Sequence, residues 1–429
     1  MSRALWFLVY GFWFPVFAVN TAFNQKPQTR NRELPVLSDL KGVTEMIKTI
    51  SKLMLLIGVV LLGSANSRAQ RDGFIPVEGT NLRSKLDLAV TQGRAKQTRF
   101  WTAYSFDVRP GVAVDVEWHS DGNTTIVSGT SISVGSKVET RNLGVFVLHE
   151  PSDGATARVE IYNLDRRREY SGYPVYWLGR AANEESLTYL KGIVESNQTG
   201  DAPKHSIVAI GLHDDPRVGG MLEDFVRNSK VEKVRTTAVF WLGQVPGHNP
   251  FLVDLVRNEQ ESVPLRKEAA FAIGISKEPG AMAALEGLYP GVTDREVKKQ
   301  IVFAASLNNT DSPTARRGDD DGINFLIKVA ESDPDRELRK QALFWLGQRA
   351  GKRSLEVLGN VVEKSDDDTE VQKQAVFAIS QRPKDEAIPL LIKIARTHPK
   401  PAVRKQAMFW LGQTGDERAL EFFKEILAK

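Results

Sequence analysis

A short apolar phrase recurs along the C-terminal part of this chain, and its spacing constrains the fold more than any other feature. The copies read PVYWLGR, IVAIGLH, AVFWLGQ, AAFAIGI, IVFAASL, ALFWLGQ, AVFAISQ and AMFWLGQ. One small residue marks each copy: Gly179, Gly211, Gly243, Gly274, Ser306, Gly347, Ser380 and Gly412. The steps between them are 32, 32, 31, 32, 41, 33 and 32 residues. A period of this length means stacked units that bury their apolar faces against each other. The long step holds an insertion, NNTDSPTARRGDDDG, at residues 308–322.

Each unit reads as two helices. In ELRKQALFWLG, Leu338, Ala342, Trp345 and Leu346 share one face, and Gly347 is expected to end the helix as a left-handed cap. A second helix follows, as in ERALEFFKEIL, with Ala419, Leu420, Phe423, Ile426 and Leu427 on one stripe. Start signals precede the first helices: Ser262-Val263-Pro264, Asp333-Pro334-Asp335 and the run from Thr397 to Pro401.

These residues resemble the HEAT-repeat superfamily, and in particular the short repeat named for phycobilisome lyases. That pattern is roughly V-R-x-x-A-x-x-A-L-G, a turn with G-D, then A-L-x-x-L. VRKQAMFWLGQTGDERALEFF, Val403 to Phe423, follows it almost position for position; LRKQALFWLGQ and LRKEAAFAIGI are close, and EVKKQIVFAASL and KHSIVAIGL are degenerate. The resemblance spans residues 170–429. It implies an all-α solenoid of about eight units with a right-handed superhelix, and it leaves the function open because such repeats serve many tasks.

Repetition stacks like residues into ladders. A Phe ladder runs through Phe240, Phe271, Phe303, Phe344, Phe377 and Phe409, with Tyr176 in the first unit. A Lys ladder runs through Lys267, Lys299, Lys340, Lys373 and Lys405, and a Gln ladder through Gln300, Gln341, Gln374 and Gln406. At about 100° per residue, Phe344 and Lys340 fall opposite the buried face. In HEAT-like folds that helix lines the concave wall. The Phe and Lys ladders are therefore the candidate partner-binding groove, for a protein or extended peptide. The bland alternative is that Phe packs between helices and Lys is a solvated face. Trp177, Trp241, Trp345 and Trp410 alternate with Ala209, Ala272 and Ala378 and are expected in the core.

Ahead of the repeats, from residue 98 to 165, the period changes. RFWTAYSFDV, VAVDVEW, TTIVSG, GVFVLHE and ARVEIYNL, separated by Gly, Pro, Asp and Ser, predict five short strands in a small antiparallel β region. His119 and His149 lie there and are expected at exposed strand ends. Residues 70–97 read as a linker or short amphipathic piece.

Residues 1–69 look like a leader. Two apolar stretches, Ala4 to Val19 and Leu53 to Gly63, precede a small-x-small exit at Ser67-Arg68-Ala69, and Lys48 and Lys52 flank the second. Met46 is the expected true start, with cleavage after Ala69; the alternative makes the first stretch an anchor. Either way the bulk of the chain is expected in a bacterial periplasm or secreted, touching a membrane only through an uncleaved leader. Beyond residue 69 the chain carries 49 basic and 50 acidic residues, so the net charge of +4 belongs to the leader and offers nucleic acid no basic surface.

Chemistry is sparse. The chain has no cysteine, which excludes disulfides, thiol nucleophiles and Cys-ligated metals. His205, His213, His248 and His398 occupy unrelated repeat positions, and neither HExxH nor GxSxG occurs. No catalytic residue, metal or cofactor is expected. The insertion's Arg317-Gly318-Asp319 and Asp319-Asp320-Asp321-Gly322 read as an acidic loop. The expected function is an exported, non-enzymatic scaffold or adaptor; the alternative is a lyase-like or enzyme-accessory module holding a small ligand in the groove.

Overall fold

Alternation along the strands explains why the N-terminal sheet has two apolar faces. Phe100, Thr102 and Tyr104 point one way, and Trp101 and Ala103 the other. The computed structural model describes residues 8–9, 12–13 and 73–428, less 116–122, 128–129, 135, 137–138, 197–199, 308–320, 350–351 and 365–367. The stretch expected to hold the leader's processing signals, His119 and nearly all of the insertion lie outside the described residues. In the first of two compact units, residues 1–64, Leu8–Val9 (β1) pairs antiparallel with Phe12–Trp13 (β2).

In the second unit a five-stranded sheet has the order β3-β10-β4-β8-β9. Its strands are Ile75–Pro76 (β3), Phe100–Ser105 (β4), Leu143–His149 (β8), Thr156–Asn163 (β9) and Val175–Arg180 (β10). A three-stranded antiparallel sheet, β5-β7-β6, is built from Val112–Val114 (β5), Asn123–Val127 (β6) and Thr130–Val134 (β7). The larger sheet is mixed, not purely antiparallel as expected: β10 runs parallel to both β3 and β4, while β4, β8 and β9 pair antiparallel. Leu82–Arg94 (α1), in the expected linker, is a helix capped by Asn81 and buries Leu82, Leu86 and Ala89.

The repeats begin later than their sequence signature. PVYWLGR, expected as the first helix of the first unit, is strand β10, with Tyr176 fully buried against the sheet's inner side. This unit keeps only its second helix, Asn183–Glu195 (α2). The same letters are helical downstream; here the edges of β3 and β4 supply backbone partners, and Gly179 at φ 82° breaks the register. Seven helix pairs then follow among the described residues: Ala202–Gly211 (α3) with Arg217–Asn228 (α4), Glu232–Leu242 (α5) with Asn249–Arg257 (α6), Val263–Ile275 (α7) with Ala281–Leu288 (α8), Arg295–Leu307 (α9) with Asp321–Ser332 (α10), Arg336–Gln348 (α11) with Lys352–Glu363 (α12), Thr369–Ser380 (α13) with Lys384–Thr397 (α14), and Pro401–Gln413 (α15) with Glu417–Leu427 (α16).

One apolar core runs from Val77 through the sheet's inner face to Phe422. The junction is sealed by polar contacts. Tyr104 OH lies 3.0 Å from Ser186 Oγ, which lies 2.8 Å from His213 Nε2; His213 Nδ1 faces the Ala209 carbonyl at 2.7 Å. Burial holds His213 down at about 4, so it stays neutral. Arg109 reaches from the β region to the Gly211 and Gln244 carbonyls at the ends of α3 and α5. His149, expected at the surface, is buried: Nε2 meets Thr102 Oγ1 at 2.9 Å, Nδ1 meets the Gly154 carbonyl at 2.8 Å, and the ring stacks on Phe100.

The ladder glycines do different work from that expected. Gly347 lies inside α11 with ordinary helical φ and is not a left-handed cap. A Cβ on it would come within 2.8 Å of Ala378 backbone, and one on Gly243 or Gly274 within 2.6–2.7 Å of Ala272 or Ala304. These glycines let successive first helices touch. Side chains tie five of the six successive pairs: Arg235 Nε donates to the Val226 carbonyl at 2.6 Å, Arg266 Nε to Val256 at 2.9 Å, Arg339 Nη1 to Asp333 at 2.7 Å and Arg404 Nη1 to His398 at 2.7 Å, while Gln372 does the same to Val362 at 2.9 Å. Each satisfies the otherwise open end of the preceding second helix.

Candidate functional site: an aromatic ladder along the first helices

Stacking of identical units brings the Phe residues together. Phe240 and Phe271 lie 6.2 Å apart with planes 18° from parallel, and Phe271 and Phe303 6.0 Å apart at 5°. Phe344 and Phe377 repeat this at 6.3 Å and 10°. All five are half-buried, so each ring supports its neighbours and keeps one edge in solvent. Phe409 is exposed. The ladder is therefore packing and surface at once, each ring pair contributing about 0.5–1.5 kcal/mol beyond burial.

It is broken in two. Phe303 meets Trp345 at 4.9 Å instead of Phe344, and Phe377 meets Trp410 at 5.0 Å. Both breaks follow units in which serine replaces the ladder glycine, Ser306 and Ser380. Their hydroxyls donate to the Phe303 and Phe377 carbonyls at 2.6 and 2.7 Å. Where glycine stands, alanine follows in the next unit; where serine stands, tryptophan does. The exception is Trp241, which lies directly over Gly211 and is fully buried. Trp345 and Trp410 are half-buried, with their Nε1 atoms enclosed and unpartnered, and Trp177 is half-buried on the outer side of β10. Only Trp241 of the four is fully buried in the core; Trp345 and Trp410 pack against its edge.

The Lys ladder is a ladder of ion pairs. Lys299 meets Glu296 at 2.8 Å, Lys340 meets Glu337 at 3.3 Å and Lys373 meets Glu370 at 3.1 Å. Burial pulls the Lys267 ammonium below its usual value, opposed by Glu296 and Asp294. Lys405 is exposed. The acidic partners stand three residues before Lys299, Lys340 and Lys373, in a recurring E-x-x-K at i,i+3. The wall is consequently zwitterionic and not cationic.

One member of the Gln ladder is a carboxyl. Glu268 holds the position of Gln300, Gln341, Gln374 and Gln406. Gln341 Nε2 donates to the Lys299 carbonyl of the preceding unit at 2.9 Å. Burial pushes the Glu268 carboxyl up to about 7, with Lys267 pulling the other way. Its neutral form can donate as glutamine does; its ionised form cannot. A separate concavity of about 350 Å³ at the junction is lined by Phe106, Asp107, Val108, Arg141, Arg180 and Asp214. No group of three metal-ligating side chains converges among the described residues.

The architecture so defined is an α-solenoid of HEAT-like helix pairs carrying a mixed β-sheet at its N-terminal end. Residues 361–429 match the family described as HEAT repeats, so the last pairs are HEAT repeats in sequence as well as in form. No curated protein matches the chain. Among solved structures, human deoxyhypusine hydroxylase is similar at 16% identity over 57% of this chain and 90% of its own, with a TM-score of 0.28. The CpcE–CpcF phycocyanin lyase complex from Nostoc sp. PCC7120 is similar at 15% identity over 56% and 92%, with a TM-score of 0.29. Lipovitellin is similar at 16% over 53% and 26%, with a TM-score of 0.38. At these values the likenesses carry nothing about activity.

Proposed function

We propose that the chain is an exported scaffold or adaptor that binds a protein or extended peptide along the wall formed by its first helices. The observation that supports this most is the half-exposed Phe ladder from Phe240 to Phe377, bordered by Glu–Lys pairs. Five aromatic edges, in runs of three and two, offer apolar anchor points, and the paired charges beside them favour a polar partner of mixed charge over a strongly acidic one. Export rests on the leader: Lys48, Lys52, the Leu53–Gly63 stretch and the exit at Ser67-Arg68-Ala69. N-terminal sequencing of the exported protein should then begin at or near Gln70; an intact, membrane-embedded 1–45 segment would overturn that part.

The binding test replaces Phe303, Phe344 and Phe377 by serine and reads crosslinked capture of envelope proteins beside the helical circular-dichroism signal. Capture should be lost while the helical signal holds. Capture that survives with the fold intact refutes the ladder as the binding face. Unfolding assigns the three rings to packing alone.

A further inference from the structure

The last helix pair differs from every other. Six large apolar side chains are exposed among the described residues, and four of them lie here: Phe409, Leu420, Ile426 and Leu427. The repeat shows what covers such a face elsewhere. Ile388, Ile394 and Ala395 in α14 occupy the positions of Leu420, Ile426 and Leu427 in α16; the α14 set is 0%, 4% and 2% exposed, the α16 set 54%, 37% and 84%. Gly412 continues the ladder of contact glycines, but nothing lies within 4 Å of the Cβ it would carry, whereas Gly243, Gly274 and Gly347 each hold an alanine of the next unit. The surface is an inter-unit surface that no described residue covers. Isolated exposed leucines need no explanation, but four large apolar side chains exposed on one helix pair do.

We infer that α15 and α16 form a two-fold interface with the same helices of a second copy of this chain. Head-to-tail stacking has no matching surface, because the other end of the array is covered by the mixed sheet packed on α2 and α3. The face on a second copy that presents the same open seam is the last pair itself, and pairing like with like closes the assembly at two. The charges on α16 fit that symmetry. Glu417 and Lys424 flank Leu420 on one side of the helix, and neither has an ion-pair partner within the chain among the described residues. In an antiparallel α16 pair centred beside Leu420, Glu417 of one copy lies opposite Lys424 of the other, at both ends of the contact. Two salt bridges then frame the leucine cluster, and Phe409 and Gly412 lie at its margin.

The test uses the full chain and its freedom from cysteine. Sedimentation at tens of micromolar should give twice the chain mass. Leu420→Arg with Phe409→Glu, both at exposed positions, should return the protein to one chain with an unchanged helical signal. A charge swap is the finer probe: Lys424→Glu should weaken association at least tenfold, and Glu417→Lys in the same chain should restore it. Leu420→Cys should form a disulfide-linked dimer on mild oxidation, since a residue meets its own copy only beside a two-fold axis. A monomer at these concentrations overturns the inference and leaves the face to a different protein. A dimer untouched by Leu420→Arg with Phe409→Glu places the contact elsewhere and also overturns it, as does a dimer that Leu420→Cys fails to link.

Discussion

Replacing Glu268 by glutamine tests whether the raised carboxyl is a real strain in the wall. In the unfolded chain this carboxyl titrates at its ordinary value of 4.5, and in the folded chain at about 7. Folding therefore favours the protonated form. The favourable balance is complete below 4.5 and is lost as pH rises through 7. At 1.36 kcal/mol per pKa unit the full swing is about 3 kcal/mol. The side chain keeps part of its surface in water, and solvent screening trims the effect between pH 5.5 and 8 to about 1–2 kcal/mol. Glu268→Gln should remove that slope, because glutamine is neutral throughout and can donate to the preceding helix as Gln341 does. Urea unfolding followed by circular dichroism at pH 5.5 and 8 measures it. The variant should gain about 1–2 kcal/mol over the parent at pH 8 relative to pH 5.5. An equal difference at both pH values would refute the reasoning and return Glu268 to the solvated surface.

Other outcomes follow from the same geometry. Gly347→Ala should cost about 1–3 kcal/mol, because its Cβ would press on Ala378 backbone. Gly192→Ala, in α2 with open space around it, should stabilise by about 0.5–1 kcal/mol; thermal melts separate the two. Trp241→Ala should cost about 3–5 kcal/mol and loosen α3 to α7 first in hydrogen exchange, whereas half-buried Trp345→Ala should cost less. Acidification should destabilise the junction between pH 6.5 and 4: buried His149 and His213 are held near 4, so their neutral-state stability is present above 6.5 and is lost as pH falls, at about 3 kcal/mol each. Exchange of β4 and α3 amides should rise in that window before the last repeats respond.

The period was legible because it is written in side chains that only stacking can bury. The roles of individual letters were less so. YWLG at Tyr176–Gly179 matches its helical copies but becomes a strand, because Ile75 and Trp101 sit where their backbones can pair with it; no local pattern carries that information. Gly347 was visible as a fixed position, yet a cap glycine and a contact glycine look alike until the alanine opposite is in place. The Phe ladder is legible, but its two breaks, at Trp345 and Trp410, show only once neighbouring units are stacked. The Lys partners were within reach, since Glu three residues before Lys repeats at 296, 337 and 370.

The seams between units do not have equal stiffness. Where glycine meets alanine, as between α5 and α7 or α11 and α13, backbone rests on backbone, and nothing between the helices can compress or rotate. Where tryptophan follows a serine unit, between α9 and α11 and between α13 and α15, a half-buried indole packs on the preceding unit's Phe, with its own torsions. A tensile load on the array should therefore concentrate at those two joints. It should extend there as a jointed rod of short rigid blocks, in discrete steps, while the glycine seams hold until the blocks themselves melt.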